Sequence, residues 1–147
     1  MTLNQFVKKI AEIYRENRRS LPEYYALGRE LSELTPREMK TLITEVLEDT
    51  FIKDIEVSWN ESKLIISKLT GTPFKEVKME EKLIKSYTKV DGCKIELQKA
   101  LENDQYLTTF PFAVMDLYLE SISLGMKIYD VFKEFNPDYK DFSVTED

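Results

Sequence analysis

The sequence predicts an all-α protein, a single-domain helical bundle of six or seven helices that closes on a long, nearly all-round apolar C-terminal helix. Three observations predict it. Apolar residues recur every three or four positions along most of the chain, helix start and stop signals stand at several junctions, and 147 residues contain only four glycines and five prolines. The competing architecture is α+β, with a hairpin around residues 55–69. A chain of this length can bury its own core, and its 42% hydrophobic and 33% charged residues are far from a disordered composition. Residues 1–136 are read as the helical domain and 137–147 as an acidic C-terminal tail.

The first helix follows from Leu3, Phe6, Val7, Ile10, Ile13 and Tyr14, a stripe of helical period. Arg15, Arg18 and Arg19 come at its end, where cations favour the negative pole of the helix dipole. A second helix opens at Pro22 and places Tyr24, Leu27, Gly28, Leu31 and Leu34 on one face, with Gly28 small enough to admit a close neighbour. The third has the clearest start: Thr35 as N-cap, Pro36 at the first helical position and Glu38 completing a capping box. Its opening, "LTPREMK", resembles the first helix of some response-regulator DNA-binding domains, over seven residues of mostly capping chemistry.

Residues 55–71 admit two readings. Ile55, Val57 and Trp59 alternate with Glu56 and Ser58 as in a strand. Against this, Ser58 and Glu61 form a capping box, Ile65, Ile66 and Leu69 share a face, and Gly71 stands where a helix C-cap belongs, which favours helix. A further helix is expected from Thr72-Pro73 to about Tyr87, and another behind Asp91 as N-cap, although Asp91-Gly92 is also a hairpin signal. In the last helix Val114, Leu117, Ser121, Leu124, Ile128, Val131 and Phe135 form a seam that Met115, Tyr118, Ile122, Tyr129 and Phe132 widen, leaving only a narrow polar strip. The tail behind it carries Tyr139 and Phe142 among its acids.

Composition excludes more function than it suggests. Without histidine, Ser-His-Asp and Cys-His catalysis and the common Cys/His zinc sites cannot be assembled. No phosphate-cradling glycine loop or calcium-loop spacing occurs. Glu80 and Glu81 are adjacent acids, but neighbours on a helix point about 100° apart, so they read as a solvated face. No enzymatic activity, cofactor or metal is therefore expected. One cysteine, Cys93, makes no internal disulfide, and no stretch approaches the roughly 20 apolar residues of a membrane span, so a cytoplasmic protein without a membrane partner is expected.

The net charge of -6 is unevenly spread: residues 1–62 carry -3, residues 63–99 carry +4 and residues 100–147 carry -7. The lead functional reading is a non-catalytic adaptor or inhibitor that binds an unidentified protein partner through a helical surface, with Asp116, Glu120, Asp130 and Glu134 on the polar strip as partner-binding residues and a homodimer through residues 112–135 as a second arrangement. The alternative is a helix-turn-helix DNA-binding regulator spanning residues 59–87. There Ser67, Gly71 and Val77 carry the small-turn-apolar spacing, and Lys75, Lys78, Lys82 and Lys85 face phosphates. Thr72 and Glu80 depart from that pattern, because both positions call for apolar residues.

Overall fold

The structure, a computed structural model, describes residues 1–16, 21–103 and 111–135. Arg18, Arg19 and the acidic tail with Tyr139 and Phe142 lie outside the described residues. The elements in order are α1 (Leu3–Glu16), α2 (Pro22–Ser32), α3 (Pro36–Glu48), α4 (Thr50–Thr70), a 3-10 turn (Phe74–Glu76), α5 (Glu81–Glu102) and α6 (Pro111–Phe135). Among the described residues there is no strand, so the fold is all-α and the hairpin alternative is excluded. No helix of the described residues is long and apolar enough to cross a membrane.

The α3 start forms as its sequence requires. Thr35 Oγ1 accepts from the Glu38 N–H at 3.1 Å, and Glu38 Oε1 accepts from the Thr35 N–H at 3.0 Å. That reciprocal bond holds the Glu38 carboxyl below its ordinary pKa. Gly71 ends α4 in the left-handed region (φ 73°), the conformation glycine adopts without steric cost.

Three local expectations are corrected. First, α4 begins at Thr50, because Asp49 Oδ1 accepts from the Phe51 N–H at 2.9 Å and supplies an earlier cap. Ser58 is consequently an interior residue, buried with Ile52, Ile55, Trp59 and Ser62, whereas Val57 is 54% exposed. The apparent alternation at 55–59 thus distributes over different sides of one helix. Second, the helix expected from Pro73 is a single 3-10 turn followed by residues 77–80 without helical structure. Val77 and Met79 are buried there, which draws the chain into the core before α5 can start at Glu81. Third, Asp91 and Gly92 lie inside α5, whose buried Leu83, Ser86, Val90, Leu97 and Ala100 continue on one face across the Asp-Gly pair. Tertiary burial on both sides overrides the local hairpin signal.

Helix α6 is the element on which four of the other helices pack. It packs against α1, α2, α4 and α5, and Val114, Met115, Leu117, Leu119, Leu124, Ile128 and Phe132 are all essentially inaccessible. Pairs along its length fix the directions of its neighbours. Phe6 meets Tyr118 edge to face and the Tyr14 hydroxyl reaches Met126 Sδ at 3.2 Å, so α1 runs parallel to α6. Asp49 bonds Tyr118, and a Cβ on Gly125 would lie 3.3 Å from Ile55 Cδ1, so α4 is parallel as well. Lys127 Nζ donates to Ser86 Oγ at 2.6 Å, and Lys89 approaches Glu120 at 4.0 Å, so α5 runs antiparallel. Trp59 and Tyr87 stack at 4.5 Å to join α4 to α5. At the centre Ser121 is fully buried, and its Oγ has no hydrogen-bond partner among the described residues.

The Asp49–Tyr118 contact couples a helix cap to the core. The Tyr118 ring is 2% exposed, stacked on Phe51 and edged by Phe6, and its hydroxyl donates to Asp49 Oδ2. Burial, and then the bond to Asp49, raise the Tyr118 pKa above that of an ordinary phenol. Asp49→Ala removes both the cap and the partner of a buried hydroxyl and is expected to cost about 2–4 kcal/mol, against about 1.5 kcal/mol for Tyr118→Phe, read from urea midpoints. A phenol with a raised folded pKa contributes stability that is fully present below about pH 10 and is lost as pH rises towards the folded value, because the unfolded chain releases its proton first. The native protein should therefore lose stability above pH 10 more steeply than Tyr118→Phe.

Candidate interaction surface

The residues expected to bear function separate into three places. Asp116 and Glu120 lie on the side of α6 that meets α2 and α5. The Tyr24 hydroxyl donates to Asp116 Oδ1 at 3.0 Å, and the Glu120 side chain is only 9% exposed beside Lys89. Asp130 and Glu134 are exposed further along α6. Helical geometry puts all four acids on one side of α6, since at about 100° per residue their positions span only about 80°. Burial then divides them into a covered pair and a solvated pair.

The lysines divide similarly. Lys82 and Lys85 lie on the first turns of α5, 3.5 Å from Glu80 and Glu81 respectively, with all four side chains largely in water. Such exposed pairs contribute little to stability. Lys75 sits on the 3-10 turn and Lys78 just after it, both exposed. The four therefore do not line one recognition helix.

Glu120 and Asp116 border a cleft of about 330 Å³ between α5 and α6, whose other walls are Lys89, Gly92, Cys93 and Glu96. Gly92 contributes no side chain, and nothing stands within 4 Å of where its Cβ would be, which keeps that wall open. Charges of both signs meet here: Lys89 approaches Glu120, while Lys127 on α6 donates to Ser86 on α5. Among the described residues no group of three or more acids and cysteines is placed to hold a metal ion. A larger hollow of about 630 Å³ between α1 and α2 is lined mainly by charged side chains, with Lys9 and Glu30 paired across it at 2.8 Å.

Sequence reasoning missed an aromatic platform beside Asp116. Tyr24 is buried at 6% exposure, with the Phe112 ring 5.2 Å away and Tyr25 edge-on at 5.3 Å. Tyr25 and Phe112 remain 53% and 38% exposed. Gly28 is what lets Phe112 lie down: a Cβ there would come within 2.6 Å of the Phe112 ring. The glycine signalled a close approach, but its partner lies 84 positions away in sequence.

A methyl group at Gly28 has two opposed effects. It raises helix propensity by about 1 kcal/mol and collides with Phe112, which can swing outward only by leaving Tyr24. Gly28→Ala is therefore expected to be neutral or destabilising in the native chain and stabilising by about 1 kcal/mol in a Phe112→Ala background, a sign change that a double-mutant cycle of urea midpoints measures. Compared with known proteins, the chain matches no family model, no curated protein and no solved structure.

Proposed function

We propose that this chain is a non-catalytic interaction protein of the cytoplasm, an adaptor or inhibitor, and that it engages its partner where α2 meets the N-terminal half of α6. The supporting observation is the aromatic platform. Exposed Tyr25 and Phe112 are held rigid on buried Tyr24, directly beside Asp116. Interfaces draw most of their affinity from a few such anchors, because a fixed ring buries much area at little entropic cost. Asp116 lies beside the anchors, Glu120 follows one turn along α6 in the α5–α6 cleft, and Asp130 and Glu134 extend negative charge further along the helix. The partner surface that complements this is apolar at its centre and basic at its rim. A second copy of the chain would find fewer groups on α6, where Phe112, Met126, Asp130, Lys133 and Glu134 are the exposed positions among residues 111–134.

A photoreactive side chain in place of Tyr25 should cross-link one partner, and the same group at exposed Lys8 should not. Tyr25→Ala with Phe112→Ala should then weaken the isolated complex at least tenfold, equivalent to about 1.4 kcal/mol or more. Asp130→Lys with Glu134→Lys should slow association and reduce its salt dependence. Equal cross-linking from both positions, or unchanged affinity in the aromatic variant, would overturn this reading.

DNA binding through Lys75, Lys78, Lys82 and Lys85 is the competing proposal. What it retains is the exposure of all four lysines. A mixed-sequence duplex titrated with the protein between about 50 and 200 mM salt is expected to show no salt-sensitive anisotropy change. A change abolished by Lys75→Glu with Lys78→Glu would replace the partner reading with the nucleic-acid one.

A further inference from the structure

The thioethers of this chain divide between core and surface. Met39 and Met115 are inaccessible and Met79 is 9% exposed, whereas Met126 on α6 is 57% exposed. Its neighbours on the helix account for the difference. Gly125 faces Ile55 of α4, Lys127 reaches Ser86 of α5 and Ile128 is fully buried, so the positions around Met126 are the ones that hold α6 in the bundle. Met126 is left at the rim, on the side along which α1 runs.

There the sulfur has a specific neighbour. The Tyr14 hydroxyl donates to Met126 Sδ at 3.2 Å. Ile10 and Ile13 of α1 are buried, and the Tyr14 ring packs against the same core, so the ring is fixed and its hydroxyl is carried to the surface beside the thioether. A thioether is a weak acceptor, and a phenol O–H aimed at one gains little from it. The sulfoxide is different: oxidation turns an apolar side chain into a polar one with a strong acceptor oxygen. Inside a core that change is disruptive. At this rim the new oxygen is formed between water and a donor already in place, and the several rotatable bonds of methionine let it turn towards that donor.

We propose that Met126 is an oxidation site for hydroperoxides, and that its sulfoxide oxygen takes over the Tyr14 hydroxyl and tightens the contact between α1 and α6. A sulfur lone pair attacks one oxygen of the hydroperoxide, the S–O bond forms and the O–O bond breaks. The proton of the transferred oxygen passes to the departing one, which leaves as water or an alcohol. Sulfur is oxidised by two electrons and the peroxide is reduced by two. Tyr14 keeps its proton throughout and acts as a positioning residue. The chain thereby takes up a peroxide oxygen without loosening its core. None of Tyr25, Phe112 and Asp116 takes part, so this inference stands or falls apart from the partner surface.

The test treats the full chain carrying Cys93→Ser, which removes the competing thiol, with hydrogen peroxide under native conditions. Peptide mass mapping should find the added oxygen on Met126 at least about tenfold sooner than on Met39, Met79 or Met115, since susceptibility follows exposure. The oxidised chain should then melt about 2–4 °C higher than the untreated one, the shift expected of one strengthened hydrogen bond in a chain of this size. In a Tyr14→Phe background the same oxidation should leave Tm unchanged or lower it, and Met126→Leu treated in parallel should keep its Tm. Oxidation of a core methionine ahead of Met126 overturns the proposal. So does a Tm that fails to rise in the parent, or a rise that survives in Tyr14→Phe or in Met126→Leu.

Discussion

Asp49 is the joint on which the bundle turns. It is the only residue between α3 and α4, serving as the C-cap of one and the N-cap of the other with an extended backbone (φ -61°, ψ 130°). One carboxylate oxygen satisfies an amide that the start of α4 would otherwise leave unpaired, and the other accepts the hydroxyl of Tyr118. Since Tyr118 is buried between Phe6 and Phe51, this single side chain ties the α3–α4 corner to α1 and α6 together. A buried phenol needs such an acceptor, because its hydroxyl cannot reach water. The parallel course of α4 beside α6 starts from this contact, and the positions of α5 and the 3-10 turn follow.

That arrangement reshapes the electrostatics implied by linear charge counting. The basic segment 63–99 holds most of α5, and the acidic segment 100–147 includes α6; the fold lays the two helices side by side. Lys89 therefore meets Glu120, and Lys127 meets Ser86, along the seam between the two helices, while Lys82 and Lys85 of α5 stay largely in water. Pairs with one member in water add little net stability. Their value lies in register, since a shift of α5 along α6 would leave the largely buried Glu120 without its lysine. Charge outside this seam is what remains for recognition: Asp130 and Glu134 on α6, and the lysines around the 3-10 turn.

The candidate site was partly legible in the sequence. The acids of α6 could be assigned to one side from helical spacing alone, but which of them are covered depends on α2 and α5, elements distant in the chain. Gly28 announced a close approach without naming Phe112. Tyr24 read as one residue of an apolar helix face, whereas the platform it makes with Tyr25 and Phe112 exists only once α6 is alongside. The four lysines read as residues of one helix because Thr72-Pro73 is an adequate helix start locally, and the burial of Val77 and Met79 goes with a non-helical segment between the 3-10 turn and α5.

What the sequence determined by itself is the all-α class, the α3 capping box and the Gly71 stop, because each depends on groups within a few residues of one another. Hydrophobic spacing, cap chemistry and the freedom of glycine act over a single turn, and no tertiary contact is needed to express them. Tertiary structure decided that residues 77–80 stay non-helical, that α5 passes unbroken through Asp91-Gly92, and which polar groups are buried. In those places two local solutions are close in free energy, and core contacts from other helices, each contributing about 1 kcal/mol or more, select between them. Asp49 belongs to both accounts: its cap is local, but the tyrosine that makes it a joint lies 69 residues further on.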